Sequence, residues 1–207
     1  MKSGALSVND AVIRNDITGV ILVGGKSRRM GRDKAFLDVG GKTLFEKVLD
    51  AFRESFSKII LTGSRGERFA GYDLPVYEDI FSGSALGGIY TGLHHADTDT
   101  VFVSSCDLPF PSSRIIRHLC SLTGNSDAVV PKLAHGYEPL FAAYSKSCLR
   151  SVKTMLHAGN YCVYDLYRQI DVREVSESEL ESVGGARDAF LNLNTPEEYE
   201  AAMRRIV

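Results

Sequence analysis

A glycine-rich and strongly basic segment has the residue types that bind a triphosphate. It runs from Leu22 to Lys34 and contains three glycines and five lysines or arginines, with Gly24 and Gly25 directly after an apolar run. Glycine lets the main chain turn sharply and bring N–H groups close to an anion. Arginine offers phosphate oxygens a planar fork, and lysine a mobile point charge. The segment therefore predicts a triphosphate cradle, and the alternative is a solvated basic turn.

Neither of the two common phosphate-binding motifs accounts for this segment. A Walker A loop requires a glycine five residues before the glycine of Gly41-Lys42-Thr43, and Phe36 occupies that position. The dinucleotide fingerprint requires one residue between its first two glycines, whereas Gly24 and Gly25 are adjacent. The basic segment is therefore a different kind of phosphate loop.

Two aspartates follow strand-like segments. Asp107 comes after the apolar run at 100–104, and Asp79 after the run at 74–77. Mg²⁺ prefers one or two carboxylates together with substrate phosphates, so we predict Mg²⁺ as the cofactor and Asp107 as its ligand. The alternative for each aspartate is a turn or cap residue. The histidines and cysteines lack the spacing of a zinc site.

Strand-like and helix-like patterns alternate along the chain. Continuous apolar runs predict buried strands, and apolar residues at helical spacing predict helices between them. Predicted strands lie at 17–23, 58–62, 74–77, 100–104, 128–130, 140–144 and 190–193, and predicted helices lie at 44–56, 86–96, 112–122 and 149–156 and after Thr195. This alternation indicates an α/β fold with a doubly wound, mainly parallel sheet and helices on both faces. Ligands bind such sheets at the carboxyl ends of the strands.

Length and composition restrict the class of protein. The chain has 207 residues, which suits one domain; we assign residues 1–16 to a loose tail and 17–207 to the domain. The formal net charge of −2 disfavours nucleic acid as a partner. No uncharged run is long enough for a membrane span, and the N-terminal segment lacks the apolar core of a signal peptide. We therefore predict a cytoplasmic protein that binds neither membranes nor nucleic acid.

Several segments resemble, in the same order, those of the molybdenum cofactor guanylyltransferases, which are nucleotidyltransferases with a Rossmann-like fold. The resemblance extends over about residues 17–206. The segments are Leu22–Lys34, Glu78–Asp79, Gly83–Ile89, Cys106–Phe110, Glu138–Leu140 and Asn192–Glu198.

The resemblance implies a reaction in which GTP and molybdopterin give the guanine dinucleotide cofactor and pyrophosphate. It also implies contacts with proteins that load molybdopterin and with acceptor molybdoenzymes. The catalytic residues would be Arg29, Lys34 and the metal ligand Asp107. The nucleotide-binding residues would be Leu22, Val23, Gly24, Gly25, Lys34, Thr62, Asp79, Gly87 and Asp107. Asn192 and Asn194 would lie on the pterin side.

Three positions depart from the family pattern. Val23 stands where alanine is usual, Thr62 where an asparagine often contacts the nucleotide, and Ala85 where proline is usual. Because these positions belong to the base side of the site, a cytidylyltransferase acting on molybdopterin or another phosphorylated acceptor is the first alternative. The second is a non-catalytic module that binds nucleotide or cofactor and delivers it.

Overall fold

The computed structural model describes residues 13–24, 34–64, 66–184, 186–193 and 195–205. The strands are β1 (Arg14–Leu22), β2 (Phe56–Thr62), β3 (Val76–Tyr77), β4 (Thr100–Ser105), β5 (Ala128–Leu133), β6 (Gly136–Tyr137), β7 (Phe141–Ser145) and β8 (Val172–Ser176). The helices are α1 (Leu44–Arg53), α2 (Ala85–His95), α3 (Ser113–Ser121), α4 (Leu149–His157), α5 (Val163–Leu166), α6 (Glu177–Val183), α7 (Ala186–Ala189) and α8 (Pro196–Met203). Short 3₁₀ segments lie at Lys34–Phe36, Gly66–Tyr72 and Lys146–Cys148.

The described strands form one mixed sheet in the order β3-β2-β1-β4-β7-β5-β6, and β8 also pairs with β5. The pairs β2–β3, β1–β2, β1–β4 and β5–β8 are parallel. The strand β7 runs antiparallel to both β4 and β5, and the β5–β6 hairpin is also antiparallel. Since β7 reverses direction between β4 and β5, the carboxyl ends of β1, β2, β4, β5 and β8 share one edge. We call this edge the carboxyl edge.

Helices cover both faces of the sheet, as predicted. One core layer includes apolar residues of α1, α3 and α6, and its rings include Phe52 and Phe102, whose centroids are 5.9 Å apart. The other includes residues of α2, α4 and α5. Successive residues of β4 serve opposite layers, because Phe102 belongs to the first and Val103 to the second. This alternation confirms the doubly wound α/β fold.

Two helices begin with a capping box. Thr43 begins α1 with a capping box, in which its hydroxyl accepts from the Glu46 N–H and the Glu46 carboxylate accepts from the Thr43 N–H. The same arrangement joins Thr195 and Glu198 at the start of α8. A capping box satisfies two otherwise unpaired N–H groups at a helix start, so both helices begin at the residues that the sequence indicates.

Several elements differ from the sequence prediction, including the helix predicted at 44–56, which ends at Arg53 and leaves Phe56 to β2. The strand predicted at 190–193 is wrong: α7 precedes it, and its residues form a loop in which Phe190 packs on Phe141. Phe190 and Leu193 are buried in the core, and this packing takes the place of strand pairing. The strand β8 was not predicted, because its sequence Val-Arg-Glu-Val-Ser has no apolar run. The strand β1 begins at Arg14, inside the predicted tail, where the Arg14 N–H donates to the Ser55 carbonyl oxygen.

Candidate active site

The ends of three adjacent strands form the centre of the carboxyl edge. Leu22 at the end of β1 pairs with Thr62 of β2 on one side and with Ser105 of β4 on the other. The predicted nucleotide loop, the β2–β3 connection and the Asp107 segment therefore leave the sheet side by side. The side chain of Leu22 is buried, so only its main chain is available to a ligand.

Main-chain contact between Gly24 and Gly63 shapes the nucleotide loop. The Val23 N–H donates to the Thr62 carbonyl oxygen, and Gly63 follows with a φ of +139°. A Cβ on Gly63 would lie 2.3 Å from the Gly24 nitrogen, which no side chain can accommodate. Gly63 was not among the predicted site residues, although a glycine directly after a buried strand indicates an unusual main-chain conformation.

Asp79 lies against this loop. A Cβ built on Gly24 would be 3.4 Å from Asp79 Oδ2, and Asp79 Oδ1 is buried without a hydrogen-bond partner among the described residues. Burial, with a smaller contribution from the Glu78 charge, raises the pKa of Asp79 to about 6. A buried carboxylate oxygen normally has a partner, so this one is placed to accept a hydrogen bond from a ligand.

Asp107 follows β4 and has a similar feature. Its Oδ1 atom is buried and has no hydrogen-bond partner in the part of the chain that the structure describes. Its carbonyl oxygen accepts from the Leu193 N–H at 3.3 Å, which brings the adjacent residue Asn192 to the same edge. The structure therefore unites Asp107 with the predicted pterin-side residue Asn192, although they are separated by many residues in sequence.

The first turn of α2 also lies at the carboxyl edge. Gly88 packs on Leu22 and Thr62, and Gly92, one turn later, packs on Val20. The helix therefore runs away from the edge, and its N-terminus, where N–H groups and the helix dipole favour anions, faces the site. The Ser84 hydroxyl caps it by accepting from the Gly87 N–H.

Two predicted nucleotide-binding residues have structural roles in the protein itself. The Thr62 hydroxyl is buried and donates to the Gly88 carbonyl oxygen at 3.3 Å. Gly87 is needed for packing, because a Cβ there would lie 1.8 Å from the Phe81 carbonyl oxygen. Both residues border the site, and their contact with a nucleotide stays a prediction.

The remaining predicted residues divide between described and undescribed segments. Lys34 opens the 3₁₀ segment that leads into α1, and its carbonyl oxygen accepts from the Leu37 N–H. Gly25, Arg29 and Asn194 lie outside the described residues. The structure thus brings Gly24, Asp79, Asp107 and Asn192 to one edge.

Glu138 also lies at this edge, and it was not among the predicted site residues. It belongs to the resemblance segment Glu138–Leu140, and its side chain is 14% exposed. Its Oε1 atom lies 2.6 Å from His135 Nε2. Burial raises its pKa, the hydrogen bond with His135 opposes this, and the negative charge of Asp107 raises the pKa further. Asp107 and Glu138 are therefore electrostatic neighbours.

A cavity of about 420 Å³ lies beside the Asp107 segment, between α1 and the loop 109–113. Lys47 and Phe110 are among its lining residues, and the Lys47 ammonium is 5.9 Å from the Phe110 ring centre. Phe110 packs on the same small core as Leu193. A second cavity of about 510 Å³ opens near Lys58 and His95, at the opposite edge of the sheet, and contains none of the predicted site residues.

In the part of the chain that the structure describes, no three His, Cys, Asp or Glu side chains are grouped to hold a metal ion. A cation bound at this edge would therefore share its coordination with other oxygen donors. None of the described helices is both long and apolar enough to cross a bilayer.

Comparisons with known proteins identify the family. A family model described as a MobA-like NTP transferase domain matches residues 19–174. A probable molybdenum cofactor guanylyltransferase of Pelotomaculum thermopropionicum is 36% identical over 89% of this chain and 91% of its own length. The chain belongs to the molybdenum cofactor guanylyltransferase family. A further member, the molybdenum cofactor guanylyltransferase of Desulfosudis oleivorans, is 34% identical over 90% of this chain and 94% of its own length.

A solved structure confirms the fold of the family. The molybdopterin-guanine dinucleotide biosynthesis protein A of Archaeoglobus fulgidus superposes with a TM-score of 0.81 at 24% identity. The match covers 91% of this chain and 97% of that protein. The family resemblance and the Rossmann-like nucleotidyltransferase fold expected from the sequence are both confirmed.

Proposed function

We propose that this protein transfers the GMP group of GTP to molybdopterin, giving the guanine dinucleotide cofactor and pyrophosphate. The observation that carries the proposal is the family match over nine-tenths of the chain. The carboxyl edge supports it, because Gly24, Asp79 and Asp107 meet where ligands bind doubly wound sheets. The chemistry is that of the family, and we place it in the cytoplasm.

The nucleotide would lie across the ends of β1 and β2. Gly24 and Gly63 bring the main chains at these two strand ends into close contact, and the N-terminus of α2 faces the same edge. We propose that Arg29 and Lys34 hold the triphosphate as fixed positive charges. Asp79 would accept a hydrogen bond from the nucleoside, since its ionised carboxylate is an acceptor only.

The residues at Asp107 fit a Mg²⁺ ion. Asp107 Oδ1 is a buried oxygen to which none of the described residues donates a hydrogen bond, and hard cations take such oxygens as ligands. Asp107 would hold the ion, which when bound supplies positive charge to the phosphate oxygens. Mg²⁺ typically combines one or two carboxylates with substrate phosphates, which suits an edge where few carboxylates converge.

The acceptor would approach from the side of α1 and Asn192. The cavity between α1 and the loop 109–113 offers the aromatic face of Phe110, which suits a planar ring. Its charged lining combines Lys42 and Lys47 with Asp50 and Glu54. Asn192 and Asn194 would contact the pterin from the other side. The proteins that load molybdopterin and receive the product would also meet this side.

The transfer itself requires positioning and charge stabilisation. An oxygen of the terminal phosphate of molybdopterin attacks the α-phosphorus of GTP; a new O–P bond forms, and the bond to the β-phosphate oxygen breaks. Pyrophosphate leaves with the electron pair. Arg29 and Lys34 stabilise the charge that develops on it, and the edge aligns the reacting groups. No covalent enzyme intermediate is needed.

Pyrophosphate release tests the substrate assignment. Purified protein is incubated with Mg²⁺ and molybdopterin, and GTP, CTP and ATP are supplied separately. We expect release with GTP and none above background with CTP or ATP. Release with CTP alone would make the protein a cytidylyltransferase. Folded protein that binds GTP but releases no pyrophosphate would support the delivery module instead.

A further inference from the structure

The segment that carries Asn192 lies at the carboxyl edge without being part of the sheet. Among the described residues, the loop 190–193 forms two main-chain hydrogen bonds. The Leu191 N–H donates to the Asp188 carbonyl oxygen at 3.2 Å, and the Leu193 N–H donates to the Asp107 carbonyl oxygen at 3.3 Å. A strand would be held by a whole ladder of such bonds. The position of Asn192 therefore depends on how the side chains of its neighbours pack.

A small core holds this loop against the rest of the domain. It joins the segment that follows Lys34, the loop that follows Asp107 and the C-terminal segment. Its buried members are Val39, Leu44, Leu193 and Ala202, and Phe110 and Tyr199 pack against them. Three parts of the candidate site thus meet in one apolar cluster.

A hydrogen bond from α8 gives this cluster a fixed register. The Tyr199 hydroxyl donates to the Asp38 carbonyl oxygen at 2.6 Å. Apolar packing is non-directional, whereas a hydrogen bond requires a particular distance and angle. The Tyr199 hydroxyl therefore determines where α8 lies against the loop at Asp38. Since α8 begins shortly after Asn192, with Thr195 as its cap, the same bond restricts the position of Asn192.

The loop at Asp38 is held by bonds of its own. Asp38 forms an antiparallel bridge with Thr43, the residue that caps α1. On the other side, the Leu37 N–H donates to the Lys34 carbonyl oxygen at 3.0 Å. These bonds do not involve Tyr199, so the loop and Lys34 keep their places when the hydroxyl is removed. The effect of its removal falls on the C-terminal segment.

We propose that Tyr199 is a positioning residue for the acceptor substrate. Its hydroxyl anchors the C-terminal segment so that Asn192 meets molybdopterin at the edge beside Asp107. The inference rests on the proposed function for the identity of the acceptor and for the contact of Asn192 with it. Loss of the hydroxyl should weaken the binding of molybdopterin and leave the binding of GTP unaltered.

Binding of each substrate to the full-length protein tests this inference without relying on turnover. Pterin fluorescence under anaerobic conditions reports molybdopterin binding, and calorimetry reports GTP binding. We expect Tyr199→Phe, which keeps the ring in the small core, to weaken molybdopterin binding about two- to tenfold, the range that corresponds to one neutral hydrogen bond. Its GTP affinity should equal that of the wild type. Unaltered molybdopterin affinity, or an equal loss for both substrates, would overturn the proposal.

The matched control is Tyr164→Phe. The Tyr164 hydroxyl also donates to a main-chain carbonyl oxygen, that of Tyr137, at 3.1 Å. However, the core layer that contains α5 lies on the opposite face of the sheet from the layer that contains Phe190. Tyr164→Phe should bind both substrates like the wild type. A loss of molybdopterin affinity equal to that of Tyr199→Phe would indicate general loosening and overturn the assignment.

Hydrogen exchange and kinetics give further readouts of Tyr199→Phe. The Leu193 amide, which is bonded to the Asp107 carbonyl oxygen, should exchange faster than in the wild type. In turnover, KM for molybdopterin should rise while kcat at saturating molybdopterin stays near that of the wild type, because the lost bond affects binding alone. Unchanged exchange of Leu193, or a lower kcat with unaltered KM, would contradict a positioning role.

The inference and the proposed function can fail separately. Weaker molybdopterin binding by Tyr199→Phe in a protein that releases no pyrophosphate would support the positioning role and refute the reaction. Pyrophosphate release from GTP by the wild type, together with unaltered molybdopterin binding by Tyr199→Phe, would refute the role of Tyr199 and leave the reaction standing. A wild type that binds no molybdopterin would overturn both.

Discussion

Asp79 and Asp107 each have a buried Oδ1 atom that forms no hydrogen bond with the residues that the structure describes. A buried polar group without a hydrogen bond destabilises the fold by about 1–3 kcal/mol. A bound ligand that donates a hydrogen bond to it would remove this destabilisation. The two carboxylates face different parts of the edge: Asp79 lies against Gly24, and Asp107 beside Leu193. One is therefore placed for the nucleoside and the other for the reacting phosphates.

The raised pKa of Asp79 predicts a pH-dependent stability. The folded carboxyl, with a pKa of about 6, holds its proton more tightly than the unfolded one, whose ordinary pKa is 3.8. The stability that the protonated group contributes is full below the unfolded pKa and is lost as pH rises through about 6. Asp79→Asn removes this loss. We expect it to raise the Tm of the ligand-free protein near neutral pH and to leave it unchanged at a pH below 3.8.

Thermal melts across this pH range measure the difference between Asp79→Asn and the wild type. Asp97→Asn is the control, because Asp97 is exposed at the opposite edge of the sheet and pairs with Lys58 at 3.6 Å. A constant Tm difference at all pH values would contradict the account of Asp79. The same substitution should weaken GTP binding, because it replaces the carboxylate that accepts a hydrogen bond from the nucleoside with a neutral amide. A residue of a binding site commonly lowers the stability of the ligand-free protein.

At the scale of elements, the contact between the ends of β1 and β2 makes a sharper prediction. Gly63→Ala should destabilise the protein more than Gly124→Ala. Both glycines have positive φ, +139° and +109°, a conformation that costs other residues about 1–3 kcal/mol. Only at Gly63 would the new Cβ also collide with Gly24, since nothing lies within 4 Å at Gly124.

Chemical denaturation gives the free energies of unfolding of both variants, and calorimetry gives their GTP affinities. Gly63→Ala is expected to lose GTP affinity as well as stability, because it displaces Gly24, whereas Gly124→Ala keeps the affinity of the wild type. Equal losses of stability, or unaltered GTP binding by Gly63→Ala, would contradict the proposed shape of the nucleotide loop.

The sequence predicted those elements whose local signals agree with their burial. The apolar runs of β1 and β4 form strands as expected. The helices α1 and α8 begin directly after Thr43 and Thr195, where the predicted helices begin. The prediction failed where tertiary packing determines the structure. The apolar residue Phe190 packs on Phe141 and does not belong to a strand. The strand β8 pairs with β5 although its sequence has no apolar run. The antiparallel direction of β7 could not be predicted either, because no local sequence pattern indicates it.

At the scale of the whole molecule, the mixed sheet explains how distant segments form one site. The reversal of β7 keeps β5 parallel to β4, so the hairpin that carries Glu138 extends from the same edge as Asp107. The carboxyl edge could be predicted from alternating elements and from strand-end residues such as Asp79. The role of Gly63 could be predicted only in part, because a glycine after a buried strand signals an unusual conformation, but its contact with Gly24 depends on how two loops meet.

In the proposed reaction, the nucleotidyl group of GTP is transferred to molybdopterin at the carboxyl edge. The most direct measurement follows radiolabel from GTP, labelled at either the α- or the γ-phosphate, into the pterin product. We expect label from the α-phosphate alone, and a loss of about 100-fold or more in rate in Asp107→Asn, because a preorganised electrostatic partner is removed. Asp97→Asn should transfer label at the wild-type rate. Label from the γ-phosphate, no label in the pterin product, or an unaltered rate in Asp107→Asn would contradict the account.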